Sequence, residues 1–362
     1  QRFKREGGIM YYFVTASKDS TIYLQQPSQN TGRDEILEIS KTYYGNLKDV
    51  SHSLIQFNTN DISASDASGE ISVQSAELIL RECESIEIPT DYTIYAYPIS
   101  QSWDGGIGTR FDKISTDGCT WNKRTSSSNW LIGSASLESS GSHNGKGGMW
   151  LTGSAVSQSF EYQSSDMAMN ILTPIQAWVS GSIPNNGLIL KHDSELENDT
   201  EDYGQLKFFS KETNTIYQPK IRIGWDDSAY NTGSLTELTS DDIHVTFKKL
   251  KTTYKRGSKP TIRVFAREKY PLKTYTNQYS YTDVKYLPST VYYQIKDIVT
   301  GEVVVPFSDD YTKISCDANG HFFKLNLTNW EINRDYYIET KINRNGVIEY
   351  FEDKDLTFTV EL

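Results

Sequence analysis

The feature that most constrains this chain is an alternation of apolar and polar residues that keeps returning along it. Glu35-Ile36-Leu37-Glu38-Ile39, Val73 to Leu80 and Tyr92 to Ile99 all repeat with period two, as strands with one buried face do. Short apolar runs of the same kind occur at Phe13 to Ser17, Thr21 to Leu24 and Ser53 to Phe57, broken by Gly, Asn and Pro turns. Strands spaced by roughly ten to twenty residues predict an all-β sandwich. The 24 Tyr and 14 Phe fit this, because aromatic side chains suit a pleated, half-buried surface. No helical repeat, heptad run or low-complexity tract competes with it.

A chain of 362 residues is expected to hold two or three domains. Residues 1–10 read as an N-terminal arm, with Met10 as the natural start and Tyr11 to Thr15 as the first strand. No apolar core of a secretory signal stands among the first nine residues. Residues 11–225 form a first β-sandwich. Within it, Ile62 to Glu70 reads as a polar loop, and 171–179 as a short helix starting near Pro174 or a strand broken there. Residues 226–242 are polar and rich in Gly, Ser and Thr, which predicts a linker. Residues 243–362 hold about seven strands in roughly 120 residues, the density of an immunoglobulin-like sandwich.

One stretch in the first domain reads as strand, loop and strand. Asn185-Asn186-Gly187 turns the chain into Leu188-Ile189-Leu190-Lys191, the acidic loop Asp193 to Asp202 follows, and Phe208-Phe209 resumes the apolar pattern. Two readings of the loop are open, a structural calcium site and a solvated acidic loop. The second is expected, because the ligand spacing and fixed Gly of an EF-hand loop are missing.

About 103–150 lies an irregular segment with four of the seven Trp, Trp103, Trp121, Trp130 and Trp150. So long a connection points to function or to a bound partner. Trp130 and Trp150 are the candidate contact residues, for a neighbouring subunit or for a glycan stacked on their rings. The competing reading is that Trp103 and Trp121 fill the sandwich core, while Trp130 and Trp150 anchor the insertion or a neighbouring subunit.

Catalytic chemistry finds no support. The five His lie far apart with no H-E-x-x-H pattern, no G-x-S-x-G elbow occurs, and Gly145-Lys146-Gly147 lacks phosphate-loop spacing. No catalytic, cofactor or metal residue is assigned. Cys83, Cys119 and Cys316 are too few and scattered for a disulfide framework and are expected to be free buried thiols. A net charge of −11 argues against nucleic acid as partner. No run reaches the ~18 apolar residues of a membrane span.

Two resemblances add to this. From about Val14 to Trp225 the chain resembles the DNRLRE-type jelly roll, a relative of a carbohydrate-binding module family. The carrying residues are Asp19 to Tyr23, Ser53 to Phe57, Val73 to Leu80, Trp103, Cys119-Thr120-Trp121-Asn122, Trp178, Asn186-Gly187 and Phe209 to Glu212. The whole chain is similar to virion structural proteins of marine T4-like phages, such as those infecting cyanobacteria. That similarity rests on Gln25-Gln26-Pro27, Asp34 to Glu38, Gly224-Trp225-Asp226-Asp227, Gly257 to Pro260, Val264 to Pro271, Tyr286 to Ser289 and Pro306 to Cys316. It implies a non-enzymatic neck, tail, baseplate or fibre protein, assembled in the host cytoplasm in several symmetric copies. Its expected partners are other virion proteins, with a host-surface glycan as the alternative.

Overall fold

The computed structural model describes residues 11–86, 91–131, 140–143, 145–161, 166–248, 250–272, 275, 282–344 and 346–362. The expected arm, residues 1–10, lies outside them, as do 132–139 and 144 of the Trp-rich segment. The chain divides into two compact units. One comprises 14–69 and 75–223, the other 11–13, 70–74 and 224–362. Both are all-β sandwiches.

From the N-terminus the strands are β1 (Tyr11–Tyr23), β2 (Ile36–Tyr44), β3 (Leu47–Phe57), β4 (Ser75–Leu80), β5 (Glu82–Ile86), β6 (Tyr92–Pro98), β7 (Ser140–His143) and β8 (Lys146–Leu151). They continue with β9 (Val156–Phe160), β10 (Met167–Asn170), β11 (Leu188–His192), β12 (Gly204–Phe209) and β13 (Lys220–Gly224). Three short helices lie among them, α1 (Asn60–Ala67), α2 (Leu172–Val179) and α3 (Ser194–Asn198). An 11-stranded sheet runs β10-β4-β13-β1-β3-β11-β6-β9, with β2 joining β3 to β12 and β12 joining β2 to β5. A sheet so wide curls or splits into packed layers. The branch at β3, which pairs with β1, β2 and β11, allows it.

Alternation holds where one face is buried. Ala76, Leu78 and Leu80 of β4 are buried and the residues between them are not. Every residue of β11 is buried, because this central strand is covered on both sides. Gly187 turns the chain into it at φ +91°, and a Cβ there would lie 2.3 Å from the Ile55 carbonyl oxygen. The strands flanking the acidic loop do not pair with each other. β11 lies between β3 and β6, and β12 between β2 and β5.

Two helical stretches resolve differently. Pro174 sits in the first turn of α2, where its missing N–H costs nothing. The expected polar loop at 62–70 is largely α1, which buries only Ile62 and Ser65.

The second unit adds β14 (Thr236–Glu237), β15 (Ile243–Lys248), β16 (Thr253–Lys255), β17 (Thr261–Glu268), β18 (Lys285–Tyr286), β19 (Val291–Asp297), β20 (Val303–Val305), β21 (Ser315–Asp317), β22 (Gly320–Lys324), β23 (Asp335–Arg344) and β24 (Val347–Glu361). A four-stranded sheet β15-β17-β22-β21 faces a five-stranded sheet β16-β24-β23-β19-β20. The opening strand is split between them. β15 runs antiparallel to β17 in one sheet, and β16 runs parallel to β24 in the other. This is immunoglobulin-like strand order. Tyr293 of β19 stacks on Phe323 of β22 at 4.1 Å, joining the sheets through the core. At the start of β23 the Tyr336 hydroxyl donates back to the Glu331 carbonyl at 3.3 Å, the corner contact such sandwiches carry. Residues 226–242 belong to this unit: Asn231 N–H donates to the Cys316 carbonyl and Leu238 N–H to that of Tyr286, both at 2.9 Å.

Candidate functional site

The chemistry-bearing residues of the first unit gather on one face of β3, β11 and β6. Side chains alternate along a strand, so Val50, His52 and Leu54 point the same way, as do Ile189 and Lys191. Over them lies the Trp-rich segment. Trp103, Trp121, Trp130 and Trp150 join Ile22, Val50, Leu54, Ile99 and Ile189 in one buried cluster, each Trp no more than 3% exposed. Trp130 and Trp150, the contact residues expected from the sequence, are therefore core residues. Their ring faces meet protein, in the same cluster as Trp103 and Trp121. The indole N–H groups are used too: Trp103 donates to the Asn186 carbonyl at 2.8 Å and Trp130 to that of Thr120 at 3.0 Å.

Beneath the tryptophans lies a buried ionic triad. Glu197 of α3 meets His52 Nε2 at 2.9 Å and Lys191 Nζ at 3.2 Å, with all three side chains at most 1% exposed. His52 Nδ1 donates to the Gly147 carbonyl at 2.6 Å, since a carbonyl only accepts. Lys191 also donates to the His192 carbonyl at 2.5 Å, and its ammonium lies 4.8 Å from the Trp150 ring centroid. Burial lowers the Lys191 pKa, and Glu197 opposes that shift. The three side chains are sealed from solvent, the setting of an ionic group that ties elements together.

The acidic loop is held by the same means. Lys41, also fully buried, donates to Asp199 Oδ1 at 2.7 Å, and the Tyr203 hydroxyl donates to Asp199 Oδ2 at 2.9 Å. Asp193 accepts from Glu195 N–H at 2.8 Å and Asp202 from Gly204 N–H at 2.8 Å. Lysine ammonium groups thus serve this loop, with Lys48 donating to Asn198 Oδ1 at 3.0 Å beside Lys41 and Lys191. Among the described residues no three His, Cys, Asp or Glu come close enough to hold a metal ion.

His192, at the end of β11, is 1% exposed and packs against Tyr92 and Tyr203 at centroid distances of 6.0 and 5.7 Å. Among the described residues neither ring nitrogen has a hydrogen-bond partner. Burial, with Lys191, His52 and Lys41 adding and Glu197 opposing, pushes its pKa from 6.5 down to about 4. Between those values the unfolded chain takes up a proton that the folded chain refuses. This residue's contribution is therefore whole above the upper value and is lost as pH falls toward the lower one. The stability difference between wild type and His192→Phe is expected to change by about 1.4 kcal/mol per pH unit in that window. Urea unfolding across the window checks this, and a pH-independent difference would contradict it.

A second construction fixes the segment at 105–118. Asn30, fully buried, donates through Nδ2 to the Gly105 and Cys119 carbonyls at 2.7 and 2.8 Å. Its Oδ1 accepts from Gly108 and Gly32 N–H at 2.8 and 3.2 Å. The Gly105-Gly106-Ile107-Gly108 run permits so close a wrap. At Gly106 (φ +85°) a Cβ would lie 2.3 Å from Asn30 Oδ1. The loop beyond is pinned again, with Arg110 N–H donating to Asp34 at 3.0 Å, Arg110 Nη1 to Glu38 at 2.5 Å and Asn30 N–H to the Ser115 carbonyl at 2.8 Å. From this fixed backbone Phe111, Ile114 and Ile107 stand out at 88%, 71% and 57% exposure.

Sequence reasoning missed the triad, Asn30 and this loop. A signal existed for part of the first, Lys191 closing the apolar run Leu188-Ile189-Leu190 just before an acidic stretch, while nothing singled out His52. Cys119 and Cys316 are free and buried, and Cys83 is free and partly exposed, a correction to the expectation of three buried thiols. Comparison with protein-family models finds no match for the chain, and a search of the curated proteins finds no relative.

Proposed function

We propose that this chain is a non-enzymatic structural protein of a tailed-phage virion, working through protein–protein contacts in the neck, tail, baseplate or fibre. The observation that carries the contact role is the loop at 105–117. Large apolar side chains on a backbone tied down at several points lose little conformational entropy on association, and exposed apolar clusters mark interaction sites. The ionic triad is sealed from solvent, which favours a structural role over catalysis. The virion setting rests on the sequence resemblance described above.

Phe111→Ser with Ile114→Ser is expected to leave unfolding stability within about 0.5 kcal/mol, as exposed positions do. The same pair is expected to weaken association with purified neck or tail proteins by about 2 kcal/mol or more if it forms an anchor. Analytical ultracentrifugation of the mixtures reads both the complex and its loss. High-affinity binding to a host-surface glycan, with no association with any particle protein, would overturn the proposal.

A further inference from the structure

The buried triad is placed for chemistry between its own members. Lys191 Nζ lies 3.2 Å from Glu197 Oε2, and both side chains are at most 1% exposed. The rings of Trp150 and Tyr97 stand 4.8 and 5.8 Å from the same nitrogen, so its surroundings are largely apolar. Hydrogen bonds to the His192 carbonyl at 2.5 Å and to Ser194 Oγ at 3.3 Å keep it against the carboxyl group. An ammonium cannot attack and a carboxylate resists attack, so the pair is inert while both charges remain. Passing one proton from nitrogen to oxygen removes both charges, and burial favours that exchange. Desolvation lowers the Lys191 pKa in the same sense, against the pull of Glu197. A desolvated lysine amine is a nucleophile, and here its neighbour is a carboxyl carbon.

His52 supplies a proton path. Its Nδ1 donates to the Gly147 carbonyl at 2.6 Å, which turns Nε2 to Glu197 Oε1 at 2.9 Å. Two lone pairs cannot bond to each other, so that contact carries a proton of its own. We infer that Lys191 and Glu197 condense into an intramolecular amide that staples the end of β11 to α3. The Nζ–Cδ bond forms and the Cδ–Oε1 bond breaks. Nζ sheds two protons, His52 relays them to Oε1, and that oxygen departs as water. Nothing is oxidised or reduced, and no co-reactant enters. Fixed contact between the groups takes the place of an activating agent, and a site closed to water protects the product from hydrolysis. The Lys41–Asp199 pair is closer, at 2.7 Å, but Asp199 is 31% exposed. Burial works to raise the Asp199 pKa, yet hydrogen bonds from Lys41, Tyr203 and Glu201 N–H hold it below the usual range, so this carboxylate stays charged and unreactive. Joined or unjoined, Glu197 holds Lys191, and the brace is independent of the assembly role of the 105–117 loop.

Mass spectrometry of the denatured full chain tests this. The wild type is expected to weigh less than its sequence by one water and not two. Trypsin is expected to spare Lys191, because an acylated lysine is no longer a cleavage site. The loss should map to the peptide that carries residues 191 and 197, which separates it from dehydration elsewhere. Lys191→Arg keeps the charge without the amine and is expected to show its full sequence mass. In His52→Gln the cross-link is expected to accumulate about tenfold or more slowly after pulsed synthesis, as loss of a general acid–base group implies. A wild type of full sequence mass, cleaved by trypsin after Lys191, overturns the inference. So does a loss of water that persists in Lys191→Arg. An unchanged rate in His52→Gln would take the proton relay away from His52.

Discussion

Glu197→Ala is expected to destabilise the first sandwich by about 3–5 kcal/mol, the cost of breaking a buried ion pair from one side. Glu197 is shared by His52 at 2.9 Å and Lys191 at 3.2 Å, so its removal strands both partners at a buried position. The loss is not confined to charge. Lys191 lies over Trp150, and the His52 ring is 4.9 Å from that of Trp121, so a shift in either disturbs the tryptophan layer. Near-UV circular dichroism should therefore change along with the urea midpoint. Glu197→Gln keeps an acceptor and is expected to lose less. A loss under about 1 kcal/mol for the alanine variant would show that the triad is not closed to solvent.

Asn30→Ala is expected to cost about 4 kcal/mol, on the order of 10 °C in the unfolding midpoint. The substitution deletes four hydrogen bonds at once and leaves the Gly105 and Cys119 carbonyls and the Gly32 and Gly108 N–H groups without Asn30. Asn30→Asp has nearly the same shape and keeps the accepting oxygen, but it turns a second oxygen toward two carbonyls. It should therefore be nearly as damaging. Thermal unfolding of both variants checks this. If Asn30→Asp behaves as wild type, the amide is not the tie that holds the Gly-rich run.

Much of the fold was legible because one-faced strands write their burial into the sequence. Ala76, Leu78 and Leu80 are an instance, and Tyr92, Ile94 and Ala96 another. In the second unit, strand density alone was enough to indicate the immunoglobulin-like sandwich. Legibility failed where burial does not follow a period. Trp103, Trp121 and Trp130 reach the core from irregular backbone and Trp150 from the short strand β8, and size alone could not say whether they faced inward or outward. Lys191 and His192 read as the polar end of a strand, because the carboxylate that permits a buried lysine comes from a helix later in the chain. Asn30 stands in a Pro-, Gln- and Gly-rich loop where an asparagine is ordinary, and only the approach of a distant Gly run makes it a tie point. Helix α1 was hidden because it buries little, with Ser and Asp where apolar periodicity would have shown it.

The central claim is that the tryptophans are structure and not a binding platform. All seven are at most 5% exposed, so acrylamide quenching of intrinsic fluorescence tests it directly. The native protein should emit at blue-shifted wavelengths and resist quenching, and both properties should be lost together in denaturant. Native emission at the wavelength of the unfolded chain, with quenching to match, would contradict the account.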